Sequence, residues 1–240
     1  VLVTVSVHLS PRLMYVLNPL SSTPSPPHVM PQTMSHFPSS VPFSWFTLNI
    51  NRSFNSSLSS MFCIVESVHR KVNSNIDFVF LQEVGSATEC ELRYQPASRH
   101  THHLRSQDSM HAYVAHNHWK LFVNQLSTSC NTAVAVSSQW SECVSQVDYL
   151  MGGRLTCVNL TVGQTTILLA SCYLPTDLDN LVWTEQSSLQ LQLANDIIVE
   201  LSQRCRQADV AIIGGDFNEH LHSNSLNSAR NLKLLMHQAK

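Results

Sequence analysis

The sequence predicts an α/β (α+β) fold, a layered α/β sandwich of mixed sheets flanked by helices. Two segments with helical apolar spacing each lead into a short run rich in β-formers, the order a parallel crossover requires. Between these units lie several short strand-like segments joined by turns, which suit antiparallel meanders better than a purely parallel doubly wound sheet. A chain of 240 residues can bury a sizeable core in one folded unit.

The elements follow in order. Residues 1–20 are moderately apolar, but no basic region precedes them, and polar and proline residues interrupt too soon for a membrane span. Residues 21–44 are dominated by Ser and Pro, a composition that buries too little apolar surface to offset ordering entropy. The expectation is a disordered leader over 1–44 and a folded domain over 45–240. The absence of an initiator Met suggests a fragment.

Phe46-Thr47-Leu48-Asn49-Ile50-Asn51 alternates, so Asn49 and Asn51 share a face. The polar stretch Arg52 to Ser57 reads as a loop and helix cap. Leu58, Met61, Phe62, Val65, Val68 and Val72 then recur at the three- and four-residue spacing of an amphipathic helix. Ile76 to Val84 is a strand with Glu83 near its C-terminal end, before Gly85-Ser86.

Thr88 to His111 is polar and histidine-rich and reads as an interruption. Short strands are expected at Ala112–Ala115, Leu121–Val123, Thr132–Val136, Leu155–Leu160 and Thr166–Tyr173, the last ended by Pro175, which lacks the N–H a continuing central strand needs. Tyr173 therefore sits at a strand end. A helix over 184–206 buries Leu189, Leu193, Ile197, Ile198, Leu201 and Cys205, with Thr184 as N-cap. It leads into Ala208 to Asn218, an apolar run that stops at Gly214-Gly215 and presents Asp216 and Asn218, one pleat apart. A carboxylate beside a carboxamide suits phosphate-ester chemistry: the anion binds a metal or orients water, and the amide donates to a phosphoryl oxygen. Residues 226–236 have helical spacing.

Bulk properties narrow the function. The formal net charge is −2 and only 12% of residues are charged, so composition carries no basic footprint of a nucleic-acid binder, although a local groove is compatible with it. The seven cysteines are scattered singly with no Cys-x-x-Cys pair, which argues against zinc and against a complete disulfide framework. A reducing, intracellular setting is the simpler expectation. The histidines at 100, 102, 103, 111, 116 and 118 show no helical ligand pair and read as a surface loop.

Four strands ending in Asn, Glu, Tyr and Asp/Asn, in that order, resemble the endonuclease/exonuclease/phosphatase superfamily, the DNase-I-like metal-dependent phosphoesterases. The motifs are Leu48-Asn49-Ile50-Asn51, Leu81-Gln82-Glu83, Tyr173-Leu174-Pro175 and Gly215-Asp216-Phe217-Asn218. Asn131 to Ser137 and Gly152-Gly153-Arg154-Leu155 are smaller echoes, and Arg154 is open to reading as a hairpin charge or as a functional residue.

The resemblance implies divalent-metal-dependent phosphodiester hydrolysis, with nucleic acid, DNA ahead of RNA, as the partner of a monomer that makes no membrane contact. A nucleic-acid endonuclease suits it best, and the apparent truncation would suit the endonuclease portion of a retroelement-type polyprotein; a phosphomonoesterase or lipid-head-group phosphatase and a non-catalytic remnant are the alternatives. It implies a magnesium ion, or manganese, on Glu83 with Asn49 and Asn51 in support, where many relatives carry Asp in place of Asn51. By the same resemblance Asp216 orients or deprotonates water, Asn218 donates to the phosphoryl oxygens and Tyr173 hydrogen-bonds the phosphate. The family pattern also has a late Asp and a terminal Asp-His pair. This sequence stops at Lys240 without them, so the expectation is a domain incomplete at its C-terminus and impaired in activity.

Overall fold

The computed structural model describes residues 7–9, 14–15, 43–50, 67, 70, 76–84, 92–96, 110–124, 131–175 and 185–218. The first six-stranded sheet is built from β3 (Trp45–Asn49), β4 (Phe78–Val84), β5 (Leu92–Pro96), β6 (Met110–His116), β7 (Trp119–Val123) and β8 (Asn131–Ser137), in the order β3-β4-β8-β7-β6-β5. The second contains β1 (Val7–Leu9), β2 (Met14–Tyr15), β9 (Val144–Leu150), β10 (Leu155–Val162), β11 (Thr165–Tyr173) and β12 (Val210–Asp216), in the order β2-β1-β12-β11-β10-β9. A short helix α1 (Ser138–Ser141) links β8 to β9, and the long helix α2 (Glu185–Gln207) links β11 to β12.

The sheets face one another through Phe78 and Phe80 on one side and Leu169 and Ile212 on the other, within one cluster of buried side chains. Strict alternation then sends Leu168, Ala170, Ala211 and Ile213 to the outer face of the second sheet, where Ala194, Ile197, Ile198, Leu201 and Cys205 of α2 cover them. On the outer face of the first sheet, Val79, Leu81, Leu121 and Ala133 form a third buried cluster with Phe46, Leu48 and Ile50 beside it. This is the layered sandwich of mixed sheets that the apolar patterning predicts.

Each sheet contains one parallel pair, β3 with β4 and β11 with β12, while its other pairs are antiparallel. Parallel pairing matters for the site because it sets two carboxyl ends side by side, the edge at which open α/β sheets gather functional groups. Asn49 stands opposite Gln82, next to Glu83, and Tyr173 stands opposite Asp216.

Several expectations change. β5 lies inside the stretch read as a polar interruption, and β9 was not foreseen. Both are edge strands, whose half-exposed sequences lack a continuous apolar run. His111 is a buried residue of β6 and not a loop histidine, with burial holding its imidazole below the ordinary pKa. Of residues 1–44 only 7–9, 14–15 and 43–44 are described, and β1 and β2 lie in the second sheet, β1 pairing antiparallel with Ala211 to Ile213 of β12. Leu189 is 63% exposed, because contact between α2 and its sheet begins a turn later at Leu193 and Ala194.

Of the helix expected over Leu58 to Val72, only Ser67 and Arg70 are described, and both are helical and exposed. Asn51, Thr184, His100, His102, His103 and the segment 226–236 lie outside the described residues. No helix among the described residues is long and apolar enough to cross a membrane. Cys157, Cys172 and Cys205 are free buried thiols of the core under α2, and burial pushes Cys172 and Cys205 up to about 12, which keeps them protonated.

Candidate active site

The floor of the site is a polar ladder between the two sheets. Thr47 Oγ1 donates to Gln82 Oε1 (3.3 Å), Gln82 Nε2 donates to Ser171 Oγ (3.1 Å), and Ser171 Oγ donates to the Leu81 carbonyl (2.8 Å). All three side chains are buried, so their groups need these partners. Thr47 and Ser171 each lie one pleat before a site residue, Asn49 and Tyr173, and Gln82 immediately precedes Glu83. The ladder therefore fixes the strands that present them. Sequence reasoning missed it, since Thr, Gln and Ser inside apolar strands carry no distinctive spacing.

The fourth strand reaches the same level without a side chain. A Cβ on Gly214 would meet the Cγ and Cδ2 atoms of Phe80 at 2.4 Å, so glycine is required for β12 to approach β4. Phe80 is fully buried and has no space into which to retreat. Gly214→Val is accordingly expected to lower folding stability by about 3 kcal/mol, near the top of the usual overpacking cost, as measured by urea unfolding.

Above this floor the four expected strand ends meet. Asn49 Nδ2 donates to Glu83 Oε1 (3.0 Å) and to Asp216 Oδ2 (3.0 Å), and the Tyr173 hydroxyl donates to the same Glu83 oxygen (2.9 Å). The two carboxylate oxygens thus lie no further apart than the sum of two hydrogen bonds, although the residues that carry them come from different sheets. Burial, then the hydrogen bond to Glu83, raises the Tyr173 phenol well above its ordinary pKa, so it remains a proton donor throughout the neutral range. Asn49 is exposed, and Glu83 and Asp216 are partly so, which leaves the cluster open at the rim of the sandwich.

Glu83 reaches this position through a bulge. Leu81 and Val84, three residues apart, both belong to the outer cluster, and the pairing of β4 with β8 shifts register between them. The extra residue is absorbed at Glu83, whose φ of 53° is left-handed, and its carboxylate turns inward beside Gln82. Simple alternation would have sent it to the opposite face.

Asn218 departs from expectation. β12 ends at Asp216, and Asn218 is itself left-handed, with φ 49°, so the alternation that would align it with Asp216 does not extend this far. Its backbone N–H donates to Asp216 Oδ1 (3.0 Å) and its Nδ2 donates to the Leu174 carbonyl (2.5 Å). It buttresses Asp216 and the end of β11. Asn51 is outside the described residues.

The donor set is oxygen-rich and small: two carboxylates, a carboxamide and a phenol. No group of three or more His, Cys, Asp or Glu that could hold a metal ion occurs among the described residues. A donor set of this kind could hold a hard divalent cation only together with waters or a substrate's own oxygens.

No family model matches the chain, and no curated protein matches it. Among solved structures it is similar to a humanized D. rerio TDP2 carrying 14 mutations (16% identity, 80% of this chain and 66% of that one, TM-score 0.44). It is also similar to the endonuclease domain of TRAS1, a telomere-specific non-LTR retrotransposon (14% identity, 82% and 71%, TM-score 0.43). An AP endonuclease from Archaeoglobus fulgidus gives 15% identity over 80% of this chain and 68% of that one, with a TM-score of 0.46. The chain thus spans just under two thirds of the TDP2 structure. These distant likenesses assign neither an activity nor a role to any residue.

Proposed function

We propose that this chain hydrolyses phosphodiester bonds in nucleic acid, DNA ahead of RNA, in the manner of the endonuclease/exonuclease/phosphatase superfamily. The observation that carries the reading is the convergence of Glu83 and Asp216 on the one Asn49 amide, with Tyr173 on the same glutamate oxygen. The amide that bridges the two carboxylates is neutral and brings no positive charge of its own between them.

In this reading Glu83, with the Asn49 amide in support, would hold magnesium or manganese, which would supply positive charge to the phosphoryl oxygens as negative charge builds on them. Asp216, its orientation set by the Asn218 N–H and the Asn49 amide, takes the proton of the water that bonds to phosphorus, while the P–O bond to the sugar oxygen breaks and that oxygen is protonated from solvent. With its ring kept in place beside Glu83, the Tyr173 O–H, kept protonated by its surroundings, rotates about its C–O bond to donate to a phosphoryl oxygen. Asn218 contributes through Asp216, since its side chain supports Leu174.

The test is to incubate the purified chain with supercoiled, nicked and abasic DNA in magnesium or manganese, with and without EDTA. Metal-dependent nicking is expected. A folded chain that cleaves none of these DNAs would overturn the nuclease reading, and release of inorganic phosphate from monoesters instead would move it to the phosphatase branch.

A further inference from the structure

We propose that Arg154 is a positioning residue that grips Tyr173 and holds its hydroxyl on Glu83, a role that rests on the nuclease reading above for its effect on catalysis. The backbone delivering Arg154 is a tight left-handed turn. Met151, Gly152 and Gly153 are all left-handed, with φ of 52°, 57° and 100°, and the Arg154 N–H closes the turn onto the Met151 carbonyl (3.2 Å). The Gly153 carbonyl accepts from Oγ1 of the buried Thr132, on the opposite sheet, at 3.0 Å. The turn is thus anchored across the sandwich before β10 begins.

From this anchor Arg154 meets Tyr173 at three points. The Tyr173 N–H donates to the Arg154 carbonyl (2.9 Å), Arg154 Nη1 donates to the Tyr173 carbonyl (3.3 Å), and the guanidinium carbon lies 5.0 Å from the centre of the phenol ring. The two backbone-directed bonds fix where the tyrosine Cα sits. The stacked guanidinium restricts how the ring turns about it, leaving the hydroxyl aimed at Glu83 Oε1 (2.9 Å). A guanidinium is planar and stacks face-on while donating from its edge, whereas an ammonium does only one of these at a time. The positive charge on one face of the ring also offsets part of the cost of placing the phenol beside two carboxylates.

The test uses the full chain with ¹³C-labelled tyrosine rings, the Tyr173 resonance being identified by its loss in Tyr173→Phe. Glu83→Gln is expected to shift this resonance in the parent, and the shift is expected to fall by about half or more in Arg154→Met, which keeps the stem and loses the charge and plane. Arg154→Lys, which retains the charge, is expected to fall between them and serves if Arg154→Met does not fold. An undiminished shift in both variants overturns the proposal.

In DNA cleavage, Arg154→Met is expected to lower kcat about 10- to 100-fold, the range for groups that orient a reacting residue, with KM changed less than about threefold. Combining it with Tyr173→Phe is expected to cost no more than Tyr173→Phe alone. Multiplying losses would mean that Arg154 acts on its own account and would also overturn the proposal. Failure of the parent to cleave DNA would sink the nuclease reading, and the resonance cycle would still decide the grip of Arg154 on Tyr173.

Discussion

Asp216→Asn is expected to reduce metal-dependent DNA cleavage by on the order of 10²–10⁴-fold, the usual cost of removing a general base, with little loss of folded protein. The substitution keeps the shape of the side chain and an oxygen to accept the Asn218 N–H, and it removes the ability to take a proton from water. An amide nitrogen would also face the Asn49 amide, donor against donor, at the contact now made by Oδ2. Raising the magnesium concentration is expected not to restore the rate, because the missing function is proton acceptance. Single-turnover cleavage across a metal titration, beside a thermal melt, checks both statements. A variant within about tenfold of the parent would remove Asp216 from the chemistry.

Glu83→Gln is expected to cost at least about 10²-fold at moderate magnesium, and its signature differs. The glutamine Oε1 still accepts from Asn49 Nδ2 and the Tyr173 hydroxyl, so the cluster keeps its hydrogen bonds and loses one negative charge. The loss is therefore one of hold on the ion. The metal concentration for half-maximal rate is expected to rise, and part of the activity to return at high magnesium or with manganese. Cleavage with unchanged metal dependence would show that Glu83 does not bind the ion. The contrast between a rate that magnesium rescues and one that it does not separates the two carboxylates by role, which hydrogen-bond geometry alone does not do.

The sequence made the interior of the fold legible and its margins much less so. β4, β11 and β12 are unmistakable because central strands buried on both faces read as continuous apolar runs. β9 and β5 each end a sheet among the described residues, and polar residues interrupt their pattern. The strand ends at Asn49, Glu83, Tyr173 and Asp216 were legible as types and in order, and the structure brings all four together. The inward turn of Glu83 was not, because a bulge depends on how β4 pairs with β8 and not on the residues of β4 alone. The placing of Asn218 follows the same logic: a period of two applies only while the backbone stays extended, and here it stops at Asp216. The Thr47-Gln82-Ser171 ladder needed both sheets in place before its members had anything to bond.

The hydrogen bond between Asn49 and Asp216 joins residues 167 positions apart, and that between Tyr173 and Glu83 spans 90. Contacts of such range close large loops and form only after the intervening chain has been ordered, so they belong to the slow, final stages of folding. A turnover assay on this protein is consequently also a gauge of sheet docking. During heating or mild denaturation, activity should vanish while far-ultraviolet circular dichroism still reports intact strands, since a small parting of the two halves separates the carboxylates before either half melts.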